Sequence, residues 1–261
     1  MYPIIKQKIK DLSKEPVFLL IIGIEIAILI ILIFFIHVKV EDGVVTHIQI
    51  FKSQIKEAGF FLNMVLPSFI GTIQMIVLFL MIIVLSGSIN HTLKNPLSKI
   101  VLTKIPSRSH FLIANYIAIN LFNIINLSIF LLLLVAVLFF KTGFFIITEP
   151  LLVGYDFVIV IISLTAIFTL FNMFIENETF ISVVGLFLCF YLGARLGGQI
   201  DTDNILKLIL GNALPPLYYI RGFDSILNHN LVNLKTIGFS FGYVLMYLLI
   251  SAIIYKRRDL N

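Results

Sequence analysis

Six long uncharged runs dominate this chain and leave few folds open to it. They cover residues 17–38 (broken only by Glu25), 63–89, 111–140, 157–175, 179–200 (carrying Arg195) and 236–255. A helix rises about 1.5 Å per residue, so about 20 apolar residues cross a hydrocarbon core about 30 Å thick. Most of the runs meet that length. The fifth is marginal: only sixteen uncharged residues run from Thr179 to Ala194, and Arg195 must snorkel toward the far headgroups for the run to span. Backbone groups in lipid must be satisfied within the segment or in a closed barrel. A barrel needs polar and apolar positions in alternation, whereas these runs are apolar on every side, so helices are expected.

The expectation is therefore an all-α integral membrane protein with six transmembrane helices, forming one membrane domain over residues 1–261. Little chain remains for anything else, and the longest stretch between spans is 201–235. Cys189 is the only cysteine and falls inside a span, which excludes an intrachain disulfide and a thiolate metal cluster. Tryptophan is absent, which leaves Tyr155, Tyr218, Tyr219 and Tyr255 near the span ends to serve at the interfaces.

The net charge of +5 reads as topology rather than nucleic-acid binding. With the N-terminus inside, the cytoplasmic segments hold Lys6, Lys8, Lys10, Lys14, Lys94, Lys99, Lys104, Arg108, Lys256, Arg257 and Arg258 against five acidic residues. The outer segments hold eight basic and eight acidic residues over more chain. The positive-inside rule then places both termini in the cytoplasm of a multi-pass cell-membrane protein. The clearest marker is 90–110, with four basic residues and no acidic one.

Within residues 1–15, Ile5, Ile9 and Leu12 recur at helical spacing among lysines, which predicts an amphipathic helix lying on the cytoplasmic surface. Residues 39–62 read as an external loop of mixed charge. Pro67 falls early in the second span, where a helix tolerates it. Residues 201–235 hold two apolar pieces, 205–210 and 217–220, on either side of Pro215-Pro216. Both are too short to span, which predicts broken extracellular or re-entrant helices before the last span.

Several residues could carry chemistry. Glu25 lies about 12 Å into the first span, where an acid must be paired, protonated or wetted. It reads either as part of a translocation path or as structural glue, for instance to Gln74. Asn115, Asn120, Asn123 and Asn126 crowd one side of the third span and can join helices or line a polar cavity. Gly193 and Gly197 form a G-x-x-x-G, which allows close helix approach, including across a dimer. The five histidines are scattered, which argues against a metal site, and no P-loop signature occurs. The Glu176-Asn177-Glu178 turn resembles acidic motifs of intramembrane proteases, but no histidine-bearing span complements it.

Two segments carry a family resemblance. One runs from Ser86-Gly87-Ser88-Ile89-Asn90-His91-Thr92-Leu93 to Ile100-Val101-Leu102-Thr103-Lys104-Ile105-Pro106-Ser107-Arg108-Ser109-His110-Phe111-Leu112. The other is the tail Tyr255-Lys256-Arg257-Arg258-Asp259-Leu260. They resemble the second-to-third-span loop and the aromatic-x-R-R-D-L ending of type-2 ABC transporter permeases, and the six-span layout fits the same family over the whole chain. The resemblance implies a homodimer, or a pair with a related permease, embedded in membrane lipid, each half bound to a separate ABC ATPase. ATP and magnesium would sit on that partner; this chain would bind no cofactor, metal or nucleic acid and would not itself be an enzyme. The 90–110 loop would be the coupling element, with Val101, Leu102, Lys104, Ile105, Pro106, Arg108 and Phe111 facing the ATPase. Glu25, Gln74, Asn120 and Asn123 would line the path or interface, and Gly193 and Gly197 the dimer contact. The implied function is ATP-driven export of an amphipathic peptide or lipid-like cargo. The alternative is a non-transporting membrane subunit, such as a sensor or immunity protein.

Overall fold

The computed structural model of the protein describes residues 2–41, 44–50, 53–55, 66–94, 108–143, 147–193, 195, 204–217 and 234–257. These are almost entirely helical: α1 (Tyr2–Leu12), α2 (Pro16–Phe35), α3 (Leu66–Lys94), α4 (Arg108–Thr142), α5 (Thr148–Phe174), α6 (Glu178–Leu186), α7 (Ile205–Ala213) and α8 (Leu234–Arg257). Pro3, Pro16, Pro67 and Pro150 each fall within the first three residues of a helix, where the missing N–H has no intrahelical partner to lose. Gly143, at φ +75°, ends α4 by donating its N–H to the Phe139 carbonyl at 2.8 Å.

Among the described residues, four helical stretches are long and apolar enough to cross a membrane: Pro16–Phe34, Ser109–Lys141, Pro150–Phe174 and Leu234–Arg257. They fit a multi-pass membrane protein. The apolar parts of α3 and of the fifth run are shorter, at Ile73–Gly87 and Glu178–Leu192. The fifth run is not a uniform α-helix, because after Leu186 it widens into a π-helix, Phe187–Gly193. The centre of the bundle is α5, 72% of whose most apolar window is buried, against 17% for α8. It packs on α3, α4, α6 and α8. Leu19, Ile26, Ile30 and Ile33 of α2, and Leu245, Leu249 and Ile253 of α8, point outward, an apolar exterior that only lipid or another protein surface tolerates.

Two parts of the chain depart from what the sequence suggests. Residues assigned to a loop form a three-stranded antiparallel sheet: β1 (Ile36–Glu41), β2 (Val44–Ile50) and β3 (Ser53–Ile55), in the order β1-β2-β3. It begins where α2 stops, so the first helix ends at Phe35 rather than Val38. The cause is alternation: His37-Val38-Lys39-Val40-Glu41 reads polar and apolar in turn, and Ile36 pairs with Ile50 and Val38 with Ile48. The fourth helix starts earlier than its uncharged run, at Thr148 rather than residue 157, and carries Asp156 buried within the bundle.

One end of the bundle gathers both ends of the chain. Phe111 and Leu112 at the start of α4, Met173 at the end of α5 and Tyr255 at the end of α8 form a small buried cluster, and Ile4 of α1 packs onto it. The expected N-terminal helix is present and lies against α4.

Candidate functional site: polar contacts inside the bundle

Glu25 is buried, about 14 Å along α2 at helical rise. Its partner is Asn126 of α4, not Gln74. Asn126 Nδ2 lies 3.0 Å from Glu25 Oε1 and 2.9 Å from Oε2, so one amide nitrogen serves both carboxylate oxygens. Seven residues nearer the start of α2, Phe18 meets Phe122 edge-on at 4.8 Å, and Phe122 lies four residues before Asn126. The α2–α4 seam is therefore fixed by an aromatic contact and a carboxyl–amide hydrogen bond. Gln74 is also buried, on α3.

The other asparagines of α4 turn back on their own helix. Asn115, Asn120 and Asn123 donate to the carbonyls four residues earlier, Phe111, Tyr116 and Ile119, at 3.1, 2.8 and 2.8 Å. All three are buried, and Asn120 Oδ1 has no hydrogen-bond partner. The contact from α4 to α5 is made instead by a residue the sequence reading passed over: Tyr116 Oη donates to the Ile162 carbonyl at 3.2 Å.

A second polar layer joins α3, α5 and α6. Asn172 Nδ2 donates across to the Leu85 carbonyl at 2.9 Å and back to Phe168 at 2.7 Å. Ser182 Oγ lies 2.7 Å from Ser86 Oγ, which donates to the Ile83 carbonyl at 2.6 Å. One turn on, Gly185 of α6 meets the Phe168 ring of α5 so closely that a Cβ there would overlap it. Gly154 of α5 meets Leu131 of α4 in a similarly close approach. Gly193 closes the π segment and Gly197 lies outside the described residues. The Glu176-Asn177-Glu178 turn starts a helix: Asn177 Oδ1 accepts from the Phe180 N–H at 3.1 Å, and Glu178 sits in the first turn, where a carboxylate is favoured.

Of the two apolar pieces expected before the last span, the first forms α7, and the second, 217–220, lies outside the described residues beyond Leu217. Asn204 caps α7 by accepting from Leu206 and Lys207, and Pro215 and Pro216 then remove the N–H groups the next turn would need. Two tyrosines of α8 serve the carbonyls of α7 from outside. Tyr247 Oη donates to Ala213 at 2.7 Å, and Tyr243 Oη lies 3.5 Å from the Ile209 oxygen. The two helices thus run side by side in the same direction. Tyr247 is thirteen residues into α8, about 20 Å from its start, so α7 ends level with the middle of the last helix. Asn212, Pro215, Pro216 and Leu217 are buried there.

Of the residues assigned to ATPase coupling, Val101, Leu102, Lys104, Ile105 and Pro106 lie outside the described residues, and Arg108 opens α4. Phe111 is buried in the terminal cluster and anchors α4, so it offers no free surface. Beside it on α1, burial pushes the half-buried Lys8 ammonium below its ordinary value, against the opposing pull of Glu15 and Asp11. The Arg195 guanidinium sits over the Tyr191 ring, 4.7 Å from the centroid. Compared with protein-family models, curated proteins and solved structures, the chain matches none of them.

Proposed function

We propose that this chain is the transmembrane subunit of an ATP-driven ABC exporter. In this reading it crosses the cell membrane six times, keeps both termini in the cytoplasm and forms the substrate path as a dimer. The ATP-hydrolysing subunit is a separate chain, and the cargo is an amphipathic peptide or lipid-like molecule. The shorter apolar helices, α3 and the fifth run with its π segment, are the two remaining passes.

The observation that carries the reading is the gathering of α1, the start of α4 and the ends of α5 and α8 at one end of the bundle. Asn172, near the end of α5, also holds Leu85 of α3. Residues 95–107, the basic stretch with the permease-like pattern, join Lys94 of α3 to Arg108 of α4, whose first turns contribute Phe111 and Leu112 to that end. An even number of passes is consistent with this gathering, and in this reading the coupling loop would lie beside α1 on the basic face. The re-entrant course of α7 and the buried Glu25–Asn126 pair suit a path between helices rather than a simple anchor.

The test is recovery of the ATPase. A helix docked in a groove draws most of its affinity from one or two apolar anchors. Ile105→Asp is expected to abolish co-purification of an ABC ATPase and ATP-driven transport while the helices still insert. Arg108→Ala is expected to weaken association less, since rim charges contribute little. Unchanged ATPase recovery and transport with Ile105→Asp would remove the loop as coupling element. A chain that never recovers an ATPase from its native membrane is a sensor or immunity subunit instead.

A further inference from the structure

The π segment carries an outward-facing ladder that none of the contacts above use. Phe187 and Tyr191 stack at 5.1 Å with their planes 17° apart, and Arg195 continues the column over Tyr191. Phe187 is 55% exposed and Tyr191 49%, and Arg195 is exposed as well. Phe180 and Val183 extend the same outward face toward the start of α6.

The ladder's position makes its cation unusual. From Glu178 to Arg195 the chain climbs about 25 Å at α-helical rise, less than a hydrocarbon core of about 30 Å. The guanidinium is then folded back onto Tyr191, toward the start of the helix. A charge held there on the outside of the bundle is costly unless an anion meets it. Among the described residues no carboxylate pairs with Arg195. An aromatic platform also leaves the edge of a guanidinium open, and that edge is a fork of N–H donors matched to phosphate oxygens.

We propose that Phe187, Tyr191 and Arg195 form a binding site for one anionic phospholipid, with its phosphodiester on the Arg195 guanidinium and an acyl chain along the Tyr191 and Phe187 rings. The site rests on the part of the proposed reading in which α6 and its π extension cross the membrane, and not on the ATP-driven transport.

The chain has no tryptophan, so Phe187→Trp gives a full-length protein with a single indole within the ladder. Reconstituted into vesicles, it is titrated with phosphatidylglycerol or phosphatidylcholine carrying the same brominated acyl chains, and quenching reports occupancy. The site predicts half-quenching at a mole fraction about tenfold lower for phosphatidylglycerol, equivalent to about 1.4 kcal/mol. Adding Arg195→Gln removes that preference. Arg195→Lys, which keeps charge but loses the fork, leaves a preference of a few-fold, and raised salt diminishes the preference of the parent protein. Equal quenching by the two lipids with Arg195 intact overturns the proposal. So does a preference that survives Arg195→Gln, and so does an indole that neither lipid reaches because a second copy of the chain covers it.

Discussion

Gly185 offers a sharp test of how the bundle is packed. A methyl group placed there would lie 2.8 Å from Phe168 Cε1 and 3.2 Å from Cε2, with Cζ nearer still. The ring cannot swing away, since Phe168 is 1% exposed and meets Phe171 edge-on at 5.9 Å. Gly185→Ala must therefore shift α6 or the ring, and overpacking of this kind costs about 1–3 kcal/mol. Phe168→Leu alone loses ring contacts, for about 1–2 kcal/mol. Together they should be better than either cost implies, because the new methyl enters the space the ring leaves. The double variant is expected to fall short of the summed loss by about 1–2 kcal/mol, the coupling typical of touching residues. Stability is read from unfolding in mixed micelles of increasing denaturing detergent, followed by helical circular dichroism. Additivity within about 0.5 kcal/mol would mean that the two residues do not touch and that the α5–α6 approach is wrong.

Three further perturbations probe the polar contacts. A double-mutant cycle of Glu25→Leu and Asn126→Leu is expected to give a coupling of about 0.6–1.7 kcal/mol, the range for hydrogen bonds between membrane helices; a zero coupling would place Glu25 elsewhere. Tyr247→Phe leaves the Ala213 carbonyl without its donor at about 1–3 kcal/mol, so cysteines placed in α7 should become more reactive to aqueous probes, and unaltered reactivity would show that α7 is held by other means. Lys8 sits below its ordinary value of 10.5, so between that depressed value and 10.5 the folded chain binds fewer protons than the unfolded one. Docking of α1 should strengthen as pH rises through this window, and Lys8→Met should tighten docking at neutral pH and flatten the profile; protection of the N-terminus from limited proteolysis reads both effects, and a wild-type profile in the variant would refute them.

The helices were legible because lipid imposes a single rule on long apolar runs, and the broken segment because two adjacent prolines admit few geometries. What escaped was pairing. Nothing in Glu25 names Asn126 as its partner, since the helical arc shared by four asparagines on α4 offers four candidates and the choice depends on how α2 is rotated. The amides expected to join helices mostly bond within α4, because a carbonyl one turn back is always in reach. The sheet had a readable signal that the mixed charge of 39–62 concealed: alternation from Ile36 to Glu41, then Asp42-Gly43, the residue pair most favoured between hairpin strands. Tyr116, Asn172 and Tyr247 act through side-chain bonds to carbonyls on other helices, and no spacing within one segment reports such a bond.

The cluster around Tyr255 has a consequence for how the chain is made. α1 leaves the ribosome before α4, α5 and α8, but the surface that Ile4 packs against is assembled from residues 111, 112, 173 and 255 of those helices. Synthesis therefore runs on to the last helix before the Ile4 end of α1 is fully covered, although the rest of α1 can already rest on α4. A nascent chain stalled before α8 would leave that end incompletely packed, which makes it a marker by which quality-control proteases could tell an unfinished bundle from a finished one.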